Sequence, residues 1–300
     1  MNHTSLEIFS VVAEEMSIIK AAKRLGRVQS NITTRIQQLE QELDAQLFIR
    51  ENKKLRVSAQ GKQFLVYTKK MLSLAEEARQ SLHPQHPRGE LSFGSMECAA
   101  ASRLAVPLFA FNQMCPDVNV KLTTGPTRQL TEMVQQSELD CALVALPVSH
   151  GKPANCPDDL CCQPLFVENL LMVLPVGMHQ ITDLREFRSG KLAAFRQGCT
   201  YRDIAAATIK NMGGHGQGIQ IQEVGSYHTM LACVAAGGYI CLLPESVLNL
   251  LQLPEGLEVL SVTRAITQLI WRKDFESPAL DNLRRILLDT SNVEPGQTGR

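Results

Sequence analysis

The 300-residue chain has 44% hydrophobic and 20% charged residues and a formal net charge of zero, which supports a folded core and excludes global disorder. Its length favours two or three domains. No apolar run is long enough to span a membrane, and the N-terminus lacks the basic start and apolar stretch of a signal peptide. We therefore expect a cytoplasmic protein without a membrane partner.

The charge is unevenly distributed along the chain. Residues 1–88 contain 14 Lys and Arg against 9 Asp and Glu, a net charge of +5, whereas residues 89–300 contain 16 against 21, a net charge of −5. A basic segment in front of an acidic remainder is typical of a nucleic-acid-binding domain joined to a domain with another task.

The first 43 residues predict three helices. Thr4 and Glu7 form a capping box for the first, and Ser17 is a suitable N-cap for the second. The apolar positions of the first helix are Leu6, Phe9, Val12 and Ala13. In the second helix, small apolar residues with helical spacing are followed by a glycine: Ala21, Ala22, Leu25 and Gly26. The third has one apolar face: Ile32, Ile36, Leu39 and Leu43.

The opposite face of the third helix is polar, which favours a helix-turn-helix with a recognition helix over an ordinary helical hairpin, the alternative. Its candidate DNA-binding residues are Gln29, Ser30, Asn31, Thr33, Thr34, Arg35 and Gln37. Residues 47–49 and 55–57 then predict two short strands around a polar turn, a wing. Basic residues of the wing suit phosphate contact, unless they belong to a merely solvated turn: Arg50, Lys53, Lys54 and Arg56.

Residues 58–82 predict a long helix. Apolar or small residues recur on it in a heptad-like seam: Phe64, Thr68, Met71, Ala75, Ala78 and Leu82. The seam could be buried against the same chain, but a dimer is favoured because two DNA half-sites need two heads. Pro84, Pro87 and Gly89 then predict a hinge and a domain boundary.

The remainder alternates between strands and helices, which predicts an open α/β domain of two lobes around a cleft. The predicted strands are residues 91–96, 118–125, 141–147, 165–175, 192–195, 219–224, 239–245 and 265–271. The predicted helices are residues 99–112, 127–138, 201–211, 228–236 and 278–289. The last strand and helix return to the first lobe, and residues 291–300 are expected to be disordered.

The chain resembles the LysR-type transcriptional regulators. The matching positions are Leu6, Phe9, Val12, Ser17, Ala21, Ala22, Leu25, Ile36, Leu39, Glu40, Leu43, Leu47, Phe48, Arg50, Leu55, Val57, Ser58 and Gly61, with CVAAGGYICLLPE at residues 233–245. The resemblance implies an α+β winged helix-turn-helix domain (1–58), a dimerising linker helix and hinge (59–88) and a two-lobed, periplasmic-binding-protein-like effector domain (89–290). Lobe I would comprise residues 89–163 plus 266–290, and lobe II residues 164–265.

The resemblance also implies what the protein binds. We expect a homodimer and homotetramer on dyad-symmetric double-stranded DNA, contact with RNA polymerase, and control by a small-molecule effector without a cofactor. The recognition helix departs from the family's usual Ser-Gln-Pro-Ala-Val-Ser-Arg-Gln-Ile, since residues 28–36 are VQSNITTRI, so the usual half-site is not assumed. Asp44 stands where Gly is common, and Asp tolerates a left-handed conformation.

In an open α/β lobe, ligands bind at the carboxyl ends of the strands. The candidate effector-binding residues there are Ser95, Glu97, Cys98, Thr124, Thr127, Arg128, Arg196, Cys199, Tyr201, Tyr227 and His228. Glu97 would repel an anion and attract an amine, while Arg128 and Arg196 supply the opposite charge. The hypothesis is an amine or amino-acid-like effector. The alternative is that Glu97 only caps its helix and that the arginines are surface residues.

Nine scattered cysteines are expected to be reduced, and Cys156, Cys161 and Cys162 lack the further ligands of a zinc site. A redox response through Cys199 is an alternative, because GCTYRD (198–203) resembles the peroxide-sensing branch of the family and Arg202 would lower a thiol pKa. Position 208, where that branch has a second cysteine, is Thr208, which favours Cys199 as part of the cleft wall.

An enzyme is not predicted, since Walker, G-x-S-x-G and HExxH motifs are absent from the sequence, and the glycine-rich residues 213–218 follow a helix instead of a strand. A solute-binding module is the alternative from another class. The basic N-terminal segment argues against it.

Overall fold

The computed structural model describes residues 1–51, 54–82, 85–146, 148–149, 152–153, 156–175, 191–211 and 220–292. Its contacts divide the chain into two compact units, Met1–Pro84 with Gln136–Glu138, and Gln85–Gln135 with Leu139–Arg300. No helix of the described residues is long and apolar enough to cross a membrane.

The N-terminal unit is a helix-turn-helix followed by a two-stranded wing and a long helix. Its elements are α1 (His3–Glu15), α2 (Ile18–Arg24), α3 (Gln29–Leu43), β1 (Phe48–Glu51), β2 (Lys54–Val57) and α4 (Ala59–Ser81). The apolar positions predicted for the first three helices are buried, except for Leu25 and Leu43, which are half-buried. Phe9 lies at the centre of this core, with its ring centroid 5.4 Å from those of both Phe48 and Phe64.

The ends of these helices follow local side-chain chemistry. Ser17 caps α2 as predicted, and its hydroxyl accepts a hydrogen bond from the Lys20 amide at 3.3 Å. The predicted capping box of Thr4 and Glu7 is wrong: α1 is capped by Asn2, whose side chain accepts from the Ser5 amide at 2.9 Å. Asn is itself a strong N-cap residue, so the helix starts before the predicted box.

The predicted seam of α4 has two parts in the structure. Phe64 packs against Phe9, and Thr68 is buried with its hydroxyl bonded to the Phe64 carbonyl at 3.0 Å, so both serve the core of their own unit. In the rest of the seam, Met71 and Ala75 are half-buried, and Ala78 and Leu82 are exposed. Outside the seam, Tyr67 and Leu74 on α4 are exposed as well.

The second unit is built on one eight-stranded sheet with the order β10-β9-β11-β8-β12-β5-β3-β4. The strands are β3 (Gly89–Ser95), β4 (Val118–Thr124), β5 (Cys141–Leu146), β8 (Leu160–Leu174), β9 (Lys191–Ala194), β10 (Gln220–Glu223), β11 (Tyr239–Pro244) and β12 (Glu258–Arg272), with a small hairpin of β6 (Val148–Ser149) and β7 (Lys152–Pro153). The helices are α5 (Glu97–Ser102), α6 (Ala105–Met114), α7 (Thr127–Gln135), α8 (Thr200–Asn211), α9 (Tyr227–Ala235), α10 (Glu245–Leu248) and α11 (Pro278–Asp289).

Two long antiparallel strands join the halves of this sheet. β8 pairs with β12 from Leu174↔Glu258 to Leu160↔Arg272, while β3 runs parallel to β4 and β5, and β9 runs parallel to β10 and β11. The predicted two-lobed α/β fold is therefore confirmed. The strands predicted at 165–175 and 265–271 are longer in the structure, since Gln163 and Pro164 interrupt the apolar pattern of β8, and Ser261, Thr263 and Arg264 interrupt that of β12.

Two predictions for this unit are wrong. The single helix predicted at 99–112 is broken into α5 and α6 at Arg103, because Pro107 has no amide to bond to the Arg103 carbonyl and its ring would clash with it in a continuous helix. Seven cysteines are free thiols, but Cys156 and Cys162 form a disulfide because the turn before β8 brings their Cα atoms within 5.9 Å.

Candidate DNA-binding surface and effector cleft

The recognition helix α3 presents a polar face to solvent. Six of its candidate residues are exposed and Arg35 is half-buried; the exposed ones are Gln29, Ser30, Asn31, Thr33, Thr34 and Gln37. The Arg35 side chain makes no hydrogen bond or ion pair with the other described residues, whereas the Thr33 hydroxyl donates to the Gln29 carbonyl at 3.0 Å. Gly26, with φ of +62°, makes the left-handed turn between α2 and α3.

The wing is attached to α3 by a carboxylate. Glu40 accepts hydrogen bonds from the amides of Leu47 (2.7 Å) and Phe48 (3.0 Å), which fixes the start of β1. Gly61 on α4 is required at its position, because a Cβ atom there would lie 2.1 Å from the Leu47 carbonyl oxygen.

The basic residues of the wing are exposed where the structure describes them. Arg50 and Lys54 lie on β1 and β2, and Arg56 is 3.4 Å from Glu51. Lys53, the fourth candidate, lies outside the described residues. The three described cations are therefore available to a phosphate backbone beside the exposed face of α3.

The effector domain contains a cavity of about 380 Å³. Eight of the eleven candidate effector-binding residues line it: Glu97, Cys98, Thr124, Thr127, Arg196, Cys199, Tyr201 and Tyr227. The other three lie elsewhere. Ser95 is fully buried with its hydroxyl on the Met96 carbonyl, Arg128 is exposed and paired with Glu132 at 3.1 Å, and His228 is exposed.

Sequence reasoning missed seven residues that line the cavity, namely Met96, Gly125, Pro126, Phe195, Glu223, Val224 and Gly225. All of them follow or end a strand, so the rule that ligands bind at the carboxyl ends of strands could have found them. Glu223 is the most consequential, because it adds a second carboxylate to the lining.

The walls of the cavity are held together through the end of β5. The Thr200 hydroxyl donates to the Ala145 carbonyl at 2.5 Å, and the Thr127 hydroxyl is 3.4 Å from the same oxygen. The Arg128 amide donates to the Gly198 carbonyl at 3.2 Å. The N-terminal ends of α7 and α8 therefore meet at the end of β5.

The floor of the cavity is neutral. The Cys98 thiol donates to the Tyr201 hydroxyl oxygen at 3.7 Å, and the ring of Phe195 meets that of Tyr227 edge-on with centroids 4.9 Å apart. Burial raises the pKa of Cys98 to about 12 and raises the pKa values of Tyr201 and Tyr227 well above their usual value. These groups keep their protons at neutral pH.

The charges that line the cavity are partly paired. Glu223 is 2.5 Å from Arg202, and the Arg196 guanidinium donates to the side-chain amide oxygen of Gln129 at 2.6 Å. Glu97 stands at the start of α5, and its carboxylate makes no hydrogen bond or ion pair with the other described residues. Met96 is the N-cap of α5, and no side-chain capping hydrogen bond forms there. A capping bond therefore does not explain the presence of a glutamate at position 97.

Cys199 lines the same cavity but is mostly enclosed. Burial raises its pKa, and the amides of Arg202 and Tyr201 lower it by a smaller amount. A raised pKa keeps the thiol protonated and weakens it as a nucleophile, which favours a role in the cavity wall. Within the described ranges, no group of three His, Cys, Asp or Glu side chains could hold a metal ion.

A buried charge cluster lies at the far end of α5. Glu168, which is 3% exposed, accepts hydrogen bonds from Arg103 at 2.8 Å and from the Ser246 hydroxyl at 2.7 Å. The Ser102 hydroxyl donates to Ser246 at 3.2 Å, and the Arg103 guanidinium lies over the Phe166 ring. The helix that carries Glu97 and Cys98 at one end is thus tied to β8 and α10 at the other.

Comparison with known families decides what these two units are. A family model described as "Bacterial regulatory helix-turn-helix protein, lysR family" matches residues 3–62, and one described as "LysR substrate binding domain" matches residues 84–292. The chain belongs to the LysR family of transcriptional regulators.

Curated relatives of this LysR-type regulator are described as HTH-type transcriptional regulators. It is 33% identical over 249 residues to the transcriptional regulator GltR of Bacillus subtilis. The matched region covers 83% of this chain and 81% of that protein. It is 35% identical over 291 residues to YusT, an uncharacterised transcriptional regulator of the same organism. The matched region covers 93% of each chain.

Solved structures of the LysR family share the fold of this chain. Full-length CbnR in complex with its target DNA has a TM-score of 0.65 at 22% identity and covers 97% of this chain and 100% of its own. A variant of full-length OxyR from Pseudomonas aeruginosa has a TM-score of 0.69 at 20% identity. The superposition covers 97% of this chain and 94% of the OxyR chain. The family models and the curated relatives confirm the predicted DNA-binding regulator, so the enzyme and the solute-binding module are set aside.

Proposed function

We propose that this LysR-type regulator binds dyad-symmetric duplex DNA through α3 and the wing, and that a small molecule with a protonated amine binds the cavity and alters DNA binding. The observation that carries the effector class is Glu97, a carboxylate with no described partner at the edge of a cavity whose floor is neutral. An ionised group without a counter-ion favours a cationic ligand.

The cavity suits a small amine in size and in lining. A volume of about 380 Å³ is typical of a site for a small molecule. Phe195 and Tyr227 add aromatic faces that attract a cation, and Arg196 stands on the lining for an effector that also carries a carboxylate. An amine or an amino-acid-like compound fits both features.

On the DNA side, α3 would lie in the major groove. Its exposed amide and hydroxyl side chains, together with Arg35, suit base edges, and Arg50, Lys53, Lys54 and Arg56 on the wing suit phosphates. A dyad-symmetric site requires two copies, and the exposed Tyr67 and Leu74 on α4, with Leu82 just after its end, support a dimer.

The effector domain offers a further surface for assembly. Val106 and Phe109 on α6 are exposed, at 67% and 68%, which supports the second contact that a homotetramer needs. Contact with RNA polymerase and the domain limits 1–58, 59–88 and 89–290 belong to the same proposal.

The experiment is selection of bound sites from random duplex DNA at a stated salt concentration, followed by calorimetric titration of the protein with amino acids, diamines and alkylamines. Recovery of a dyad and heat from a cationic compound are expected. Glu97→Gln should weaken that binding by about tenfold or more, because hydrogen bonds to charged groups contribute about 1.5–3 kcal/mol.

Glu132→Gln is the matched control, since Glu132 pairs with Arg128 outside the cavity lining and its loss should leave binding unchanged. No heat from any amine, or equal affinity in Glu97→Gln and the wild type, would refute the effector class. Salt-dependent binding without an enriched sequence would refute sequence recognition by α3.

A further inference from the structure

Val28 is an apolar residue in an unusual place. It is the N-cap of α3, in extended conformation, and its side chain is 69% exposed. Its carbonyl accepts hydrogen bonds from the amides of Asn31 (3.1 Å) and Ile32 (3.3 Å), but no side chain caps the helix. The main chain therefore starts the helix without any contribution from the valine side chain.

Neither helix stability nor packing explains a valine here. Ser, Thr, Asp and Asn are the favoured N-cap residues because their side chains accept from the first free amides, and Val is among the poorest. The hydrophobic core of the unit takes up Ile32, Ile36 and Leu39 of α3 and leaves Val28 exposed. The side chain is exposed at a position where a polar residue would be more stable.

The position is the one from which a recognition helix meets base edges. Val28 directly precedes Gln29 and Ser30, and the N-terminal residues of such helices contact the floor of the major groove. A valine side chain offers neither a donor to phosphate nor an acceptor to a base amine. The C5 methyl group of thymine is the apolar feature that the major groove presents.

We propose that Val28 is a specificity-determining residue that packs against the C5 methyl group of one thymine in each half-site. The inference rests on the proposed placement of α3 in the major groove. It adds an apolar contact to the polar contacts already assigned to that helix.

The test replaces thymine by deoxyuridine, which removes the methyl group and keeps every hydrogen-bonding atom of the base. Each thymine of the selected operator is replaced in turn, and the dissociation constant of the full-length protein is measured. One symmetric pair of positions should weaken binding by about fourfold per half-site, the equivalent of one methyl group. Substitution of both half-sites should multiply the two effects.

Variants at Val28 separate the contact from any change in DNA stiffness. Val28→Ser should bind thymine and uracil operators equally at that position, and Val28→Thr, which keeps one methyl group, should retain part of the preference. Val28→Ser should also raise the melting temperature of the free protein, because it restores a side-chain cap. A weaker affinity would then not reflect unfolding.

Lys54→Ala is the matched control, since loss of a phosphate contact should weaken both operators by the same factor and leave their ratio unchanged. The inference is overturned if no thymine-to-uracil replacement discriminates, or if Val28→Ser keeps the wild-type preference. The placement of α3 fails separately if Arg35→Ala leaves the sequence preference of the protein unchanged.

Discussion

At the residue scale, the proposed function depends on side chains whose polar groups are left free by the fold. Arg35 and Glu97 carry full charges and have no described partners, whereas Arg128, Arg202 and Glu223 are paired. Free charges at a surface cost the folded protein little, because water solvates them, and they remain available to DNA or to a ligand.

Arg35→Ala should relax or abolish sequence-specific DNA binding without unfolding the protein. A bidentate contact between arginine and a base contributes about 1–3 kcal/mol of discrimination, and Arg35 is only half-buried. The measurement is the ratio of affinities for the selected operator and for random DNA. Gln38→Ala, an exposed neighbour outside the candidate set, is the control, and equal ratios in Arg35→Ala and wild type would contradict the prediction.

The neutral floor of the cavity predicts a loss of stability at alkaline pH. The folded pKa of Cys98 is raised to about 12, so the unfolded thiol ionises first, and stability falls as the pH rises above about 8.5. Cys98→Ala should flatten that decline by up to about 1.4 kcal/mol per pH unit, as measured by urea unfolding between pH 8 and 10.

Cys98→Ser should flatten the same curve, because a serine hydroxyl stays protonated in this range. An unchanged slope in both variants would mean that the Cys98 thiol ionises as readily in the folded as in the unfolded protein. The other thiols whose pKa values are raised by burial would account for a decline that remains, together with the buried tyrosines: Cys115, Cys141, Cys199, Cys241, Tyr201 and Tyr227.

At the element scale, α5 links the cavity to β8, one of the two long antiparallel strands that join the halves of the sheet. Glu97 and Cys98 at its start line the cavity, and Arg103 just after its end bonds to the buried Glu168 on β8. A displacement of α5 by a ligand would therefore strain a buried ion pair, and buried pairs tolerate little change in geometry.

Arg103→Met should destabilise the effector domain by about 3–5 kcal/mol, since it leaves the Glu168 carboxylate buried without its counter-ion. Chemical unfolding measures the loss. The double variant Arg103→Met with Glu168→Leu should recover part of it, because both charges are then absent. If the double variant is as unstable as the sum of the single ones, the two residues do not act as a pair.

At the scale of the whole molecule, a regulator that binds a dyad requires two copies of the chain. The exposed Tyr67 and Leu74 are seven residues apart on α4, which places them on the same side of the helix. The predicted seam through Phe64 and Thr68 instead serves the core of the head.

Leu74→Glu should weaken self-association by at least about tenfold, because burying an unpaired carboxylate in an interface carries the free-energy cost of its desolvation. Sedimentation analysis at several protein concentrations measures this effect. Lys62→Glu, an exposed position elsewhere on α4, should leave the assembly unchanged. A Leu74→Glu protein that sediments as the wild type would place the dimer contact on another surface.

The sequence alone predicts the helix-turn-helix, the wing and the alternation of strands and helices in the second unit. The physical reason is local: the spacing of Ile32, Ile36 and Leu39, the N-cap at Ser17 and the apolar run of β5 are each set by neighbours along the chain. The same reasoning found eight residues of the cavity, because the ends of strands mark where a cleft forms.

The tertiary structure decided what depends on contacts between distant segments. It pairs Arg103 with Glu168, 65 residues away, and joins the cavity walls through Ala145. It also moves Ser95, Arg128 and His228 off the cavity lining and adds Glu223 to it. No spacing along the chain encodes these pairings, since each is set by which strands become neighbours in the sheet.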